Sequence, residues 1–67
     1  MSEWQQRVVD EKAALDEKLK ALNAFLDKNV ESTKLPKGVR VLLIKQSATM
    51  KRYSDILAER INLFQAE

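Results

Sequence analysis

The chain has 67 residues, a net charge of +2, and neither cysteine nor histidine. Those absences exclude disulfides, Cys/His zinc sites, thiol redox pairs and Cys or His nucleophile–base catalysis. A chain this short buries only about 60% of its unfolded surface and is marginal alone, so self-association is the expected support.

The first element starts without a secretory pattern, since "MSEWQQR" lacks a basic-then-apolar leader. Ser2 followed by Gln5 reads as a capping box, and Glu3 suits the positive end of a helix dipole. Apolar residues then recur at Trp4, Val8, Leu15, Leu19, Leu22 and Leu26, with Glu11 in the skipped place. That spacing predicts helix 1 over about residues 2–30, fading near Asn29 or Val30. Ala14, Ala21 and Phe25 widen the stripe towards a second contact face.

"ESTKLPKG" contains the chain's one proline, Pro36, and its one glycine, Gly38. Proline drives the residue before it out of the helical region and is tolerated in a first turn. A loop is predicted over 31–37, with Leu35 folded back over the end of the core and the next helix starting between 36 and 40.

Helix 2 is predicted over about 38–65. Its stripe reads Val39, Leu43, Gln46, Met50, Tyr53, Leu57, Arg60 or Ile61, and Phe64, with Leu42, Ile56 and Leu63 on an adjacent flank. The longest purely apolar run, Val41 to Ile44, is far too short to span a membrane. No strand pattern appears. The expected fold is all-α: a single domain, 1–67, forming an antiparallel two-helix hairpin that assembles into a helical homo-oligomer. A lone hairpin leaves Ala14, Ala21, Phe25, Leu42, Ile56 and Leu63 wet. At about 25 cal/mol per Å², covering them between chains is worth several kcal/mol per subunit. A soluble, intracellular protein is expected.

Charge is unevenly spread. Residues 1–31 carry seven acids against five bases, whereas 32–54 carry Lys34, Lys37, Arg40, Lys45, Lys51 and Arg52 with no acid. An acid-free window of that length suggests an anionic partner, although a solvated lysine face would look the same.

Gln46, Tyr53 and Arg60 interrupt helix 2's apolar line at intervals of seven. Each has a structural explanation: Gln46 sets register, Tyr53 buries its ring with the hydroxyl at the edge, and Arg60 snorkels or pairs with Glu11 or Glu3. Together they suggest more. An antiparallel hairpin brings Trp4 and Arg7 beside Arg60 and Phe64, and Tyr53 near Glu11 and Lys12. Aromatics that stack on bases and cations that meet phosphate would then gather on one flank, with Lys51 on a neighbouring face. The candidate ligand-binding residues are Trp4, Arg7, Glu11, Lys12, Gln46, Lys51, Tyr53 and Arg60. A hairpin with an acidic first helix suits extended nucleic acid poorly, and a compact anion such as a nucleotide suits it better.

The segments "RVVDEKAALDEKLKALNAFL", the "LP" loop and "LLIKQSATMKRYSDILAERINLF" resemble the phage anti-CBASS cyclic-oligonucleotide sponges, whose hairpin is shared with anti-Thoeris sponges. The resemblance is carried by Arg7, Glu11, Lys12, the leucines, Leu35-Pro36, Gln46, Met50, Tyr53 and Arg60, over about residues 7–64. Lys37-Gly38 departs from it, since acids are expected after Leu35-Pro36. The resemblance implies a homo-hexamer in the host cytoplasm that sequesters cyclic di- and trinucleotide immune signals at subunit interfaces without cleaving them. No cofactor is expected, and a metal is not expected in a chain without Cys or His. The competing readings are a structural or partner-binding coiled-coil oligomer with no small ligand, and a helical enzyme of the chorismate mutase type, which usually brings a third helix.

Overall fold

The computed structural model describes residues 1–28 and 30–64, apart from the side chains at 30 and 31. Two helices of 26 residues, α1 (Glu3–Lys28) and α3 (Lys37–Asn62), flank a four-residue helix, α2 (Val30–Thr33). At 1.5 Å per residue each long helix spans about 39 Å, which accounts for most of the molecule's 47 Å length. They run antiparallel as a hairpin: Trp4 lies against Phe64, Glu11 against Tyr53 and Asn23 against Ser47.

The capping box at the start of α1 is formed. The Ser2 N–H donates to Gln5 Oε1 at 3.0 Å, and the Gln5 N–H donates to Ser2 Oγ at 3.4 Å. Two of the four donors that a helix start leaves unpaired are thereby met.

The predicted loop needs correction. Helical structure reaches Thr33 through α2 and resumes at Lys37, so only residues 34–36 of the expected 31–37 loop are non-helical. Pro36 takes the N-cap position at φ −54° and ψ 142° with no side-chain cap, and its carbonyl accepts the Arg40 N–H at 3.1 Å. The ring fixes φ and removes a donor that would be unpaired there anyway. Leu35 is half-buried. The expected fading at Asn29 and the expected end of helix 2 at Gln65 lie outside the described residues; α3 itself ends at Asn62, where the Leu63 N–H donates to the Glu59 and Arg60 carbonyls.

The packing seam also differs from the expected stripe. On α1 it comprises Gln5, Val8, Lys12, Leu15, Leu19, Leu22 and Leu26, all buried or half-buried at alternating steps of three and four. On α3 it comprises Arg40, Leu43, Ser47, Met50, Ser54, Leu57 and Ile61, with Phe64 just beyond the helix end. Trp4, Glu11, Val39, Gln46, Tyr53 and Arg60 are exposed, one position to the side. Leu43, Met50, Leu57 and Phe64 complete a heptad line equally well with Val39/Gln46/Tyr53/Arg60 or with Arg40/Ser47/Ser54/Ile61. The second set faces α1. Its two serines are small enough for close helix approach, and Leu57 is completely buried beside them.

That core is thin. Among the described residues its buried apolar side chains are Val8, Leu19 and Leu57, the last completely so, whereas Leu42, Ile56 and Leu63 are 65%, 53% and 60% exposed. Ala14 and Ala21 are exposed as well. Helical spacing places this outer apolar row on the same side of the hairpin as Trp4 and Tyr53.

Candidate functional site

The eight candidate residues fall on the two flanks of the hairpin. Trp4, Arg7, Glu11, Gln46, Tyr53 and Arg60 share one flank by helical position, and Lys12 and Lys51 line a groove on the other.

On the aromatic flank, Tyr53 and Glu11 meet across the hairpin, with the phenol hydroxyl donating to Glu11 Oε2. Donating to a carboxylate makes the phenol harder to ionise. The Tyr53 pKa is accordingly raised, first by this hydrogen bond, then by partial desolvation and the Glu11 charge, while the Arg60 guanidinium opposes the shift. Arg60 therefore acts on the same phenol from two turns along α3. Trp4 packs edge to face on Phe64, with ring centroids 5.4 Å apart. Arg7 Nη2 donates to Glu3 Oε1 at 2.8 Å, and both side chains are largely exposed, so the ion pair is weakly held. Gln46 is exposed and contacts Met50 Sδ at 3.8 Å.

On the opposite flank, Lys12 Nζ donates to Asp16 Oδ2 at 2.6 Å and to Ser54 Oγ at 3.1 Å. The Ser54 hydroxyl donates in turn to Asp16 Oδ1 at 2.5 Å. The Lys12 and Ser54 hydrogen bonds hold the Asp16 carboxyl below the usual aspartate range, aided by the Lys12 and Lys51 charges and opposed by desolvation. Lys51 Nζ donates to Asp55 Oδ1 at 2.5 Å. An open groove of about 500 Å³ runs over these residues and is also lined by Leu19, Lys20 and Asn23. Carboxylates already occupy two of its three lysines, which weakens its pull on an added anion.

The two flanks differ chemically. The aromatic flank offers two partly exposed π-faces, Trp4 at 44% and Tyr53 at 41%, together with the Arg60 guanidinium. A planar base can stack on such rings, and a guanidinium can meet phosphate through two parallel hydrogen bonds. Among the described residues, no group of three or more His, Cys, Asp or Glu side chains could hold a metal ion. No described helix is long and apolar enough to cross a membrane.

Absent from the residues expected from the sequence are Asp16, Asn23, Ser47 and Ser54, which add polar contacts between α1 and α3 to that of Tyr53 with Glu11. The available signal was the alternation of three and four through Ser47, Met50, Ser54 and Leu57, masked by the equally regular line one position away. Also absent is the closed end of the hairpin. There Arg40 Nη1 donates to the Ser32 carbonyl at 3.2 Å and to Ser32 Oγ at 3.1 Å, while Ser32 Oγ donates to the Leu26 carbonyl at 3.3 Å.

A family model described as Sequestin matches residues 2–63. No curated protein and no solved structure matches the chain.

Proposed function

The chain belongs to the Sequestin family, and from that premise we propose that it is a non-catalytic sponge for cyclic di- and trinucleotides. Its copies assemble through their exposed apolar rows, with a hexamer favoured, and hold ligand in the clefts between subunits. In an infected cell this withdraws the signals on which CBASS-type antiphage defence depends, so the protein acts in the host cytoplasm as an anti-CBASS factor. It performs no bond-breaking step and needs no cofactor, membrane or extended nucleic acid.

One observation carries this reading: the Tyr53 ring, braced by Glu11 and within the field of Arg60 two turns along, stands exposed on the flank that also bears Leu42, Ile56 and Leu63. Assembly through that apolar row would bring a neighbouring chain up to the ring and the guanidinium. The cleft so formed has stacking surface and phosphate-binding charge in one place. Stacking on an aromatic supplies about 1–3 kcal/mol per base, enough for a few such contacts to retain a cyclic oligonucleotide.

The same apolar row, repeating every seven residues at Leu42, Ile56 and Leu63 with Thr49 between, also supports the second reading, a coiled-coil oligomer with no small ligand. To decide between them, the protein is mixed with cyclic di- and trinucleotides, freed of unbound ligand by filtration, and heat-denatured. Recovery of intact ligand in stoichiometric amount is expected. A linearised product would indicate a nuclease, and no retention would leave the coiled-coil reading. Tyr53→Ala and Arg60→Ala are each expected to abolish retention without changing the oligomer's mass.

A further inference from the structure

We infer that Ser54, with Lys12 and Asp16, is a positioning element that fixes the rotation of α3 about its axis and so holds Tyr53 on the outer flank against Glu11. The inference rests on the proposed function for its biological meaning, because only a ligand on that flank makes the orientation of Tyr53 matter.

Two heptad lines compete for the seam, and both include Leu43, Met50, Leu57 and Phe64. Rolling α3 by about one flanking position would replace Ser47 and Ser54 in the seam by Gln46 and Tyr53. The phenol would then turn inward, away from the flank. Apolar contacts discriminate weakly between these states, since leucine and methionine side chains adapt to either. Polar contacts discriminate strongly, because a buried donor or acceptor left without a partner is costly.

In the observed state no buried side-chain donor or acceptor among the described residues lacks a partner. Ser54 is only 6% exposed, and its hydroxyl both donates to Asp16 and accepts from Lys12. One heptad nearer the loop, Ser47 Oγ donates to Asn23 Oδ1 at 2.5 Å. Asp16 and Asn23 are seven residues apart on α1, and Ser54 and Ser47 are seven apart on α3. The two contacts therefore form a matched pair of pins. A slip of one heptad would keep one pin at most. Lys12 and Ser54 are the immediate chain neighbours of Glu11 and Tyr53, so pinning the first pair in the seam sets the second pair on the flank, about 100° around each helix.

The chain has one tyrosine and no cysteine, so the ultraviolet titration of phenolate reports Tyr53 without interference. In the unaltered protein, Glu11→Gln is expected to shift that titration downward, because the carboxylate that holds the phenol protonated is gone. In a Ser54→Ala background the same Glu11→Gln change is expected to produce no shift, and in a Ser54→Thr background the shift is expected to return. Asp16→Asn, which keeps the side chain's shape, should behave as Ser54→Ala does; it replaces that variant if far-UV circular dichroism shows Ser54→Ala to be unfolded. An equal Glu11→Gln shift in all backgrounds would overturn the inference. These titrations use ligand-free protein. Failure of the unaltered protein to retain cyclic nucleotides would sink the proposed function and leave the positioning result standing.

Discussion

Trp4 and Phe64 meet edge to face, with planes 76° apart, and close the hairpin's open end. They stand at the start of α1 and just beyond the end of α3, so their contact clamps two termini that no turn connects. Edge-to-face pairs contribute about 0.5–1.5 kcal/mol beyond area burial. Phe64→Ala is therefore expected to lower stability by at least that amount in urea unfolding, with Trp4 fluorescence shifting to the red as the indole becomes wetter. Unchanged emission would show that the pair does not persist in solution.

Leu57 is the one apolar side chain with no exposed surface among the described residues, and it packs next to Ser54 where the helices come close. Truncating a buried leucine costs about 2–5 kcal/mol, depending on how far the site can collapse. Leu57→Ala is expected to give the largest loss of any single alanine change in this chain. Leu42→Ala, at 65% exposure, should leave an isolated hairpin almost unaffected. The comparison is made by circular dichroism melting at low protein concentration.

Arg40 closes the other end through Ser32, which is itself fully buried. A hydrogen bond from a charged donor is worth about 1.5–3 kcal/mol, so Arg40→Ala should destabilise by an amount of that order. Its effect should concentrate in faster amide exchange around α2 and the first turn of α3. Uniform acceleration along both long helices would mean that Arg40 supports the whole hairpin instead.

Acid should weaken the fold through Asp16. Its carboxyl is held below the usual aspartate value by the Lys12 and Ser54 hydrogen bonds, so the folded state takes up this proton less readily than the unfolded chain. The stabilisation is fully present above about pH 3.9, the ordinary aspartate value, and is lost as pH falls through the depressed folded value. Urea midpoints measured from pH 6 to pH 2 should fall along that limb, and Asp16→Asn should make the fall shallower.

Ile56 stands 53% exposed in the middle of the outer apolar row. Ile56→Glu is expected to dissociate the assembly into subunits in sedimentation velocity, since it puts a charge where a neighbouring chain must exclude water. Unchanged mass would place the contact between copies on another face.

Much of the hairpin could be read from the chain. The Ser2/Gln5 capping box, the Pro36 break and the 3.6-residue apolar period are local signals. They depend on backbone donors, a fixed φ angle and side-chain spacing within one or two turns, so they are written in neighbouring residues. The same holds for the outer row at Leu42, Ile56 and Leu63, whose seven-residue repeat is visible without a partner. The approach of Trp4 to Phe64 at the open end, and of Tyr53 to Glu11 further in, followed from antiparallel pairing alone.

The rotation of α3 could not be read this way. Tyr53 and Ser54 are adjacent, and both continue a regular heptad line through Met50 and Leu57. Spacing cannot separate them, because the choice depends on residues 38 and 42 positions earlier in the chain: Asp16 and Lys12, which meet Ser54 when the helices pack. Periodicity by itself determined that two amphipathic helices would form and fold back on each other. Tertiary structure decided which side of α3 faces inward, since only packing brings the buried Ser54 hydroxyl to a carboxylate and an ammonium on the other helix, where it gains hydrogen bonds that replace those it had with water.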